Sequence, residues 1–233
     1  MAATISTVGL DADDTLWHNE RLFQLTQARF AELLGDHAEP GRLMERLLDA
    51  ERRNLGHYGF GVKGFTLSMI ETALEVTDNT VPGEVIRAIV EAGQEMLSHP
   101  VELLPGAAEA IEALAGRVRL VLITKGDLLD QERKLAQSGL GAMFDAVEIV
   151  SDKTEPLYRD VFSRHGDGPD RALMAGNSLR SDVLPAIAAG AFGVFVPHEH
   201  EWRLERAAEP DDTPRYTRIA TLAELPQVIE RIG

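Results

Sequence analysis

The residues best suited to chemistry lie in the segment VGLDADDTL, at positions 8–16. The segment begins with apolar residues typical of a strand and ends with three carboxylates and a hydroxyl. Carboxylates crowded at the end of a buried strand repel one another and lose hydration, so they need a cation or a proton among them. Asp11 and Asp13 are two residues apart, so an extended backbone places both side chains on one face. One carboxyl group could attack a substrate while the other handles a proton.

The same acidic run could instead do no more than start a helix. Asp13, Asp14 or Thr15 would then be the N-cap of a helix from Leu16 onward, because a side-chain oxygen at that position accepts hydrogen bonds from free backbone N–H groups. The two interpretations differ in what they require elsewhere. A catalytic site needs matching polar residues at the ends of later strands, and a cap does not.

The composition limits the classes of partner. The chain has 233 residues, a formal net charge of -15 and no cysteine. The acidic balance argues against nucleic acid and acidic membranes as partners, because both require clustered Lys and Arg. The lack of cysteine removes disulfides and cysteine metal sites. The sequence shows neither a signal-peptide pattern nor an apolar segment of membrane-spanning length, so we predict a cytoplasmic protein with no membrane partner.

A long helical stretch follows the first strand. Residues 17–100 contain four apolar stripes at helical spacing, which can bury one another as a small all-helical domain. The pattern is interrupted at residues 55–64, where four glycines surround aromatic residues and Lys63. This break is either a plain connection between helices or a loop that leans over an active site and brings Lys63 to the substrate.

From residue 101 the chain alternates between strands and helices. The spacing of the strand ends is about 25 to 30 residues, the length of a β-α-β unit. Continuous apolar strands in such an alternation predict a parallel sheet covered by helices on both faces. We therefore predict an α/β fold, with a catalytic core at residues 1–16 and 101–233 and an inserted all-helical domain at residues 17–100.

Polar residues follow the later strands as the catalytic interpretation requires. Thr124, Lys153 and Asn177 each lie at or just after a predicted strand, and Asp182 is close to Asn177. The carboxyl ends of parallel strands share one edge of a sheet, and ligands bind at that edge. We therefore expect these side chains to meet Asp11.

The combined residue types suit phosphoryl transfer, where negative charge must be neutralised and the reacting atoms positioned. We expect Asp11 to be the nucleophile that forms an aspartyl-phosphate. Asp13 would begin the cycle protonated, give its proton to the leaving alkoxide and then deprotonate the attacking water. Thr124 and Lys153 would bind the phosphoryl oxygens.

The candidate metal ligands are all oxygen atoms, which predicts Mg²⁺ rather than zinc as the cofactor. The expected ligands are the carboxylate of Asp11, the backbone carbonyl oxygen near Asp13 and the carboxylate of Asp182.

These residues resemble the motifs of the haloacid dehalogenase superfamily. The segment DADDT at 11–15 resembles its first motif, LIT at 122–124 its second, Lys153 its third, and GNS at 176–178 with Asp182 its fourth. The resemblance implies a Rossmann-like parallel-sheet core, and an insert between the first two motifs implies a helical cap domain of the first cap class. Asn177 stands where an aspartate is frequent in the family. Asn177 would then hold the metal through its amide oxygen or through water, and Asp182 would carry more of the metal affinity.

Asp13 refines the implied activity. The dehalogenase branch of the superfamily lacks this second acid, and the phosphatases have it. We therefore predict a Mg²⁺-dependent phosphatase that acts on a small phosphorylated metabolite. The alternatives are a 2-haloacid dehalogenase-type hydrolase and, from another class, a receiver-like phosphate-binding regulator, although receiver-like modules lack an insert of this size.

Overall fold

The computed structural model describes residues 4–211 and 213–232. Its strands are Thr7–Leu10 (β1), Arg119–Lys125 (β2), Ala146–Val150 (β3), Ala172–Gly176 (β4), Phe192–Phe195 (β5) and Tyr216–Arg218 (β6). Within the described residues they form one six-stranded sheet in the order β3-β2-β1-β4-β5-β6, and every neighbouring pair is parallel. The predicted parallel α/β fold is confirmed.

Helices cover both faces of the sheet. They are Ala107–Leu114 (α5), Leu128–Ser138 (α6), Glu155–His165 (α7), Leu184–Ala189 (α8) and Leu225–Ile232 (α9), and α1 to α4 precede them. Side chains alternate along β2, so Leu120 and Leu122 pack with α5 and α9 on one face, whereas Val121 and Ile123 pack with α7 and α8 on the other. Both faces are apolar, which explains the continuous apolar strands of the sequence.

The remaining helices are Glu20–Leu33 (α1), Pro40–Tyr58 (α2), Val62–Val76 (α3) and Gly83–Ser98 (α4). They share a separate apolar core around Phe30, Leu43 and Met69. The predicted break at residues 55–64 is much shorter in the structure, because α2 continues to Tyr58 and α3 begins at Val62. Val62 and Phe65 are buried in this core, so packing rather than local propensity extends the helices and leaves only a glycine-rich turn between them.

The chain divides into two compact units. The first contains Met1–Glu20, Val101–Lys125 and Gln131–Gly233, and the second contains Arg21–Pro100 and Gly126–Asp130. Residues 17–20 thus belong to the first unit, and a short segment after β2 belongs to the second. Among the described residues, no helix has both the length and the apolar character that crossing a membrane requires.

The core between the sheet and α7 provides a test of the fold. Phe162 is fully buried there, so we expect Phe162→Ala to lower the free energy of unfolding by about 3–5 kcal/mol through lost burial and a residual cavity. Leu129→Ala is the matched control, because Leu129 is 72% exposed and its truncation should change stability by less than about 0.5 kcal/mol. Urea unfolding followed by circular dichroism measures both values. Equal losses in the two variants would contradict this packing.

Candidate active site

The end of β1 brings the first candidate residue to the carboxyl edge of the sheet. β1 lies between β2 and β4, and its last residue is in register with Leu122 and Ala175. Asp11 follows directly, while Thr124 and Asn177 each lie two residues beyond those partners. The chain order of the strands reverses at β1 and β4, which is the position where open parallel sheets bind ligands. The register therefore collects the three side chains at one edge.

Lys153 joins this group from the loop after β3. Its ammonium donates to Asp11 Oδ1 at 2.5 Å and to Asp182 Oδ1 at 2.7 Å, and its side chain is only 1% exposed. Burial opposes the charge on Lys153, but the two carboxylates outweigh burial and hold its pKa above the ordinary value. Lys153 is therefore a buried cation between two acids.

Burial has the largest effect on the pKa of Asp11. The pKa of Asp11 is raised from 3.8 to about 7, mainly by burial and in part by the charges of Asp182 and Asp13, although Lys153 beside it acts in the opposite direction. Thr15 donates its hydroxyl hydrogen to Asp11 Oδ2 at 2.9 Å. A further positive charge near Asp11 would stabilise its carboxylate form at neutral pH.

Both oxygens of Asp182 are engaged inside the fold. Oδ1 accepts from Lys153, and Oδ2 accepts the backbone N–H of Ser178 at 2.9 Å. Asp182 lies in a single π-helical turn, Leu179–Val183. A Cβ atom at Gly176 would overlap Asp182 Oδ2, so the chain needs glycine at this position. These contacts orient Lys153, and the metal-ligand role of Asp182 stays a prediction.

The side chain of Asn177 brings an amide group beside two oxygen atoms. With its nitrogen inward, the amide donates to the carbonyl oxygen of Asp13 at 3.2 Å and to Asp11 Oδ2 at 3.3 Å. With its oxygen inward, the amide oxygen lies at these distances from the Asp13 carbonyl oxygen and from Asp11 Oδ2. Neighbouring ligand oxygens around octahedral Mg²⁺ are about 3 Å apart, since Mg–O bonds are about 2.1 Å long. The amide oxygen, the carbonyl oxygen and the carboxylate are therefore a set that could hold Mg²⁺.

This set contains a single carboxylate. No three His, Asp or Glu side chains among residues 4–211 and 213–232 come together in a way that could hold a metal ion. The predicted ligand set has only two carboxylates, those of Asp11 and Asp182, so it stays a prediction. The Asn177 amide and the carbonyl oxygen of Asp13 also belong to that set.

The carboxyl group of Asp13 is surrounded by hydrogen-bond donors. Trp17 Nε1 donates to Oδ1 and Gln131 Nε2 to Oδ2, both at 2.7 Å, and the Lys134 ammonium contacts the two oxygens at 3.0 and 3.2 Å. Lys134 also donates to Asn19 Oδ1 at 2.8 Å. These partners all donate, so they fix the position of the Asp13 carboxyl group. That Asp13 begins the cycle protonated stays a prediction.

Sequence reasoning missed Gln131 and Lys134. They lie three residues apart in α6 and therefore on one face of that helix, which starts three residues after β2. The sequence feature that could have identified them is this spacing in a helix that follows the strand carrying Thr124. A lysine in an amphipathic helix is more often solvated, however, and nothing local indicates that its partner is Asp13.

The two remaining predicted residues lie in different units. Thr124 is buried at the end of β2, and its hydroxyl makes only a long contact of 3.4 Å with the carbonyl oxygen of Lys125. Lys63 lies in the first turn of α3, where its ammonium is 3.3 Å from Asp127 Oδ1 and its backbone N–H donates to Asp127 Oδ2 at 3.3 Å. Lys63 therefore has a counter-ion within its own unit.

The buried charges around Lys153 predict a pH-dependent loss of stability. We expect Lys153→Met to lower the free energy of unfolding by about 3–5 kcal/mol at about pH 8, because two buried carboxylates lose their cation. The loss should be smaller at about pH 6. The pKa of Asp11 is already about 7 with Lys153 present, so the folded variant takes up a proton as the pH falls and the unfolded chain does not.

Urea unfolding of both proteins at the two pH values measures this difference. Arg159→Met is the control, since Arg159 forms an ion pair with its side chain 58% exposed and should matter little at either pH. A loss that is the same at both pH values would contradict the assignment of Lys153 as the counter-ion of Asp11.

Comparison with known proteins agrees with this fold. A family profile described as haloacid dehalogenase-like hydrolase matches residues 5–190. The crystal structure of a haloacid dehalogenase-like family hydrolase from Xanthomonas campestris is 40% identical, with a TM-score of 0.88, and the match covers 98% of this chain and 92% of that chain.

Two relatives of known activity are more distant. The pyrimidine 5'-nucleotidase YjjG from Escherichia coli is 29% identical over 157 residues, and the match spans 65% of each protein, slightly under two thirds of the nucleotidase. The glyceraldehyde 3-phosphate phosphatase from Methanothermobacter thermautotrophicus is 26% identical over 207 residues, which is 84% of this chain and 87% of that protein. Because the family profile covers most of the chain, from β1 through α8, the protein belongs to the haloacid dehalogenase-like hydrolases.

Proposed function

We propose that this hydrolase is a Mg²⁺-dependent phosphatase of small phosphorylated metabolites and works through an aspartyl-phosphate on Asp11. One observation carries the proposal. The Asn177 amide lies 3.2 Å from the Asp13 carbonyl oxygen and 3.3 Å from Asp11 Oδ2, and the buried ammonium of Lys153 donates to the other oxygen of Asp11. A divalent cation and an ammonium on either side of one carboxylate suit the transfer of a dianionic phosphoryl group.

The chemistry of the oxygen atoms supports Mg²⁺ as the cofactor. A hard cation prefers carboxylate, carbonyl and amide oxygens, and these are the three groups present. When bound, Mg²⁺ would neutralise charge on the phosphoryl oxygens and favour the carboxylate form of Asp11. Asn177 rather than Asp182 is the proposed ligand from the fourth motif, because both oxygens of Asp182 are engaged with Lys153 and Ser178.

Asp11 is the proposed nucleophile. Its carboxylate forms a bond to phosphorus as the bond to the leaving oxygen breaks, and a water molecule then attacks the aspartyl-phosphate and releases phosphate. Lys153 holds one oxygen of Asp11 and neutralises charge at the phosphoryl group. Thr124, whose hydroxyl is only weakly engaged, would donate a hydrogen bond to a phosphoryl oxygen.

Asp13 is the proposed proton-transfer group. Its carboxylate form suits the second step, in which it takes a proton from the attacking water. In the first step the leaving oxygen needs a proton. The Lys134 ammonium, which contacts both oxygens of Asp13, is the proposed source, and Asp13 passes the proton on. The proton that Asp13 later takes from water returns to Lys134, so the cycle ends with the same charges.

The relatives support a small phosphate ester as the substrate, since one is a nucleotidase and the other a phosphatase of a triose phosphate. We propose that the helical insert, residues 17–100, is the cap domain that determines the specificity for the leaving group. Lys63 could contact the substrate only by exchanging its ion pair with Asp127.

A haloacid dehalogenase activity is the second candidate, because it would use the same nucleophile. That chemistry needs neither a proton donor nor a metal ion. The contacts that hold the carboxylate of Asp13 therefore favour the phosphatase. Halide release from 2-chloropropionate that is insensitive to chelator would favour the dehalogenase.

The first test is a hydrolysis screen. We expect release of inorganic phosphate from p-nitrophenyl phosphate and from some nucleoside monophosphates or triose phosphates, with activity lost in EDTA and restored by Mg²⁺. Asp11→Asn should lower kcat at least about a thousandfold, because the nucleophile is gone. Asp49→Asn, at a side chain that is 61% exposed, is the matched control and should retain activity. Phosphate release that survives Asp11→Asn would refute the mechanism.

The second test separates the two candidate ligands of the fourth motif. Mn²⁺, followed by electron paramagnetic resonance, reports cation binding without turnover. We expect Asn177→Leu to weaken Mn²⁺ binding by about 10 to 100 times and Asn177→Asp to preserve or strengthen it, since a carboxylate replaces the amide oxygen. Asp182→Asn should affect kcat through Lys153 and leave Mn²⁺ affinity nearly unchanged. If Asp182→Asn loses Mn²⁺ as Asn177→Leu does, Asp182 is the ligand.

A further inference from the structure

A polar network outside the catalytic set surrounds Glu205. Glu205 ends a short 3-10 turn, Arg203–Glu205, after β5. Its Oε1 accepts from the Lys125 ammonium at 2.8 Å, and its Oε2 accepts from the hydroxyls of Ser178 at 2.6 Å and Ser181 at 2.5 Å. Lys125 also donates to the Ser181 hydroxyl at 2.7 Å. One carboxylate thus joins a strand end to a turn in another part of the chain.

Glu205 and Lys125 form a largely buried ion pair, with side chains 16% and 11% exposed. Burial opposes the carboxylate form of Glu205, but the Lys125 charge and the serine hydroxyls outweigh it and hold the pKa of Glu205 below its ordinary value. Removing one partner of such a pair leaves an uncompensated buried charge. The residues of the network are therefore held together as one unit.

The network touches the immediate chain neighbours of three proposed site residues. Lys125 directly follows Thr124 at the end of β2. Ser178 directly follows Asn177, and its backbone N–H donates to Asp182 Oδ2. The carboxylate of Glu205 therefore constrains the backbone beside Thr124, Asn177 and Asp182. These residues are the proposed phosphate-binding hydroxyl, the proposed amide ligand and the acid that orients Lys153.

The network also spans the π-helical turn Leu179–Val183. The backbone N–H groups of Asp182 and Val183 both donate to the carbonyl oxygen of Ser178, at 2.9 and 3.2 Å. π-helical turns are rare and are frequently found at functional sites, where one extra residue changes the direction of a side chain. Because Glu205 holds a hydroxyl before the turn and another within it, it stabilises this particular winding.

We propose that Glu205 is a positioning residue for the metal and phosphate site, acting through Ser178, Ser181 and Lys125. The inference rests on the proposed function, because it concerns how that site is aimed. Glu205 holds the Asn177 amide and the Thr124 hydroxyl in place, and the reacting atoms are left to Asp11 and Asp13.

Glu205→Gln tests this role, because it removes the charge and keeps the shape. We expect Mn²⁺ to bind about tenfold more weakly and kcat for p-nitrophenyl phosphate to fall about tenfold, as for other residues that orient metal ligands, with KM little changed. Glu199→Gln is the matched control, since Glu199 lies on the same segment with its side chain 71% exposed. It should bind Mn²⁺ as the wild type does.

Two further measurements keep a positioning role distinct from a stabilising one. Urea unfolding shows whether Glu205→Gln is folded under the assay conditions. Ser181→Ala is a milder change in the same network, so it should also weaken Mn²⁺ binding, but by a smaller factor. A folded Glu205→Gln protein with wild-type Mn²⁺ affinity and kcat would overturn the inference alone. A wild-type protein that neither binds Mn²⁺ nor hydrolyses any phosphomonoester would overturn the proposed function, and the inference with it.

Discussion

The buried charge of Lys153 is the interaction on which the site depends. An ammonium that is almost fully enclosed is unfavourable unless carboxylates surround it, and here Asp11 and Asp182 do so at 2.5 and 2.7 Å. The same contacts fix the orientation of Asp11. A single ion cluster therefore stabilises the fold and orients the proposed nucleophile. A substitution that changes its contribution to stability also changes the orientation of Asp11.

The parallel sheet makes this cluster possible. Register alone brings the ends of β1, β2 and β4 to one edge, and Lys153 reaches them from the loop after β3. The approach of Asp182 further requires Gly176, because any side chain at the end of β4 would occupy the space of its carboxylate. The apolar strands are rigid because they pack on both faces, so the strand ends that carry Asp11 and Thr124 are held in fixed positions.

The fold and the location of the site could be predicted from the sequence, because both follow from local patterns. Continuous apolar strands, helical spacing and polar strand ends give the parallel sheet and bring Asp11, Thr124 and Lys153 to one edge. The partners of these side chains could not be predicted in the same way. The contact of Lys134 with Asp13 depends on where α6 packs, and the roles of Asn177 and Asp182 depend on a π-helical turn, which has no simple sequence pattern.

The balance of charge bears on how an acidic chain would hold the proposed phosphate ester at this edge. The contacts described above join the carboxylates of Asp11, Asp13, Asp182 and Glu205 to the ammonium groups of three lysines, which leaves an excess of one negative charge. That excess would repel a phosphate dianion, and burial makes the repulsion stronger than in water. The proposed divalent cation would reverse the sign of the site. With an aspartate at position 177 the loaded site would be neutral, so the amide of Asn177, as the proposed ligand, would bind the cation more weakly and leave a more positive loaded site, a combination that would favour binding of the anionic substrate together with the metal.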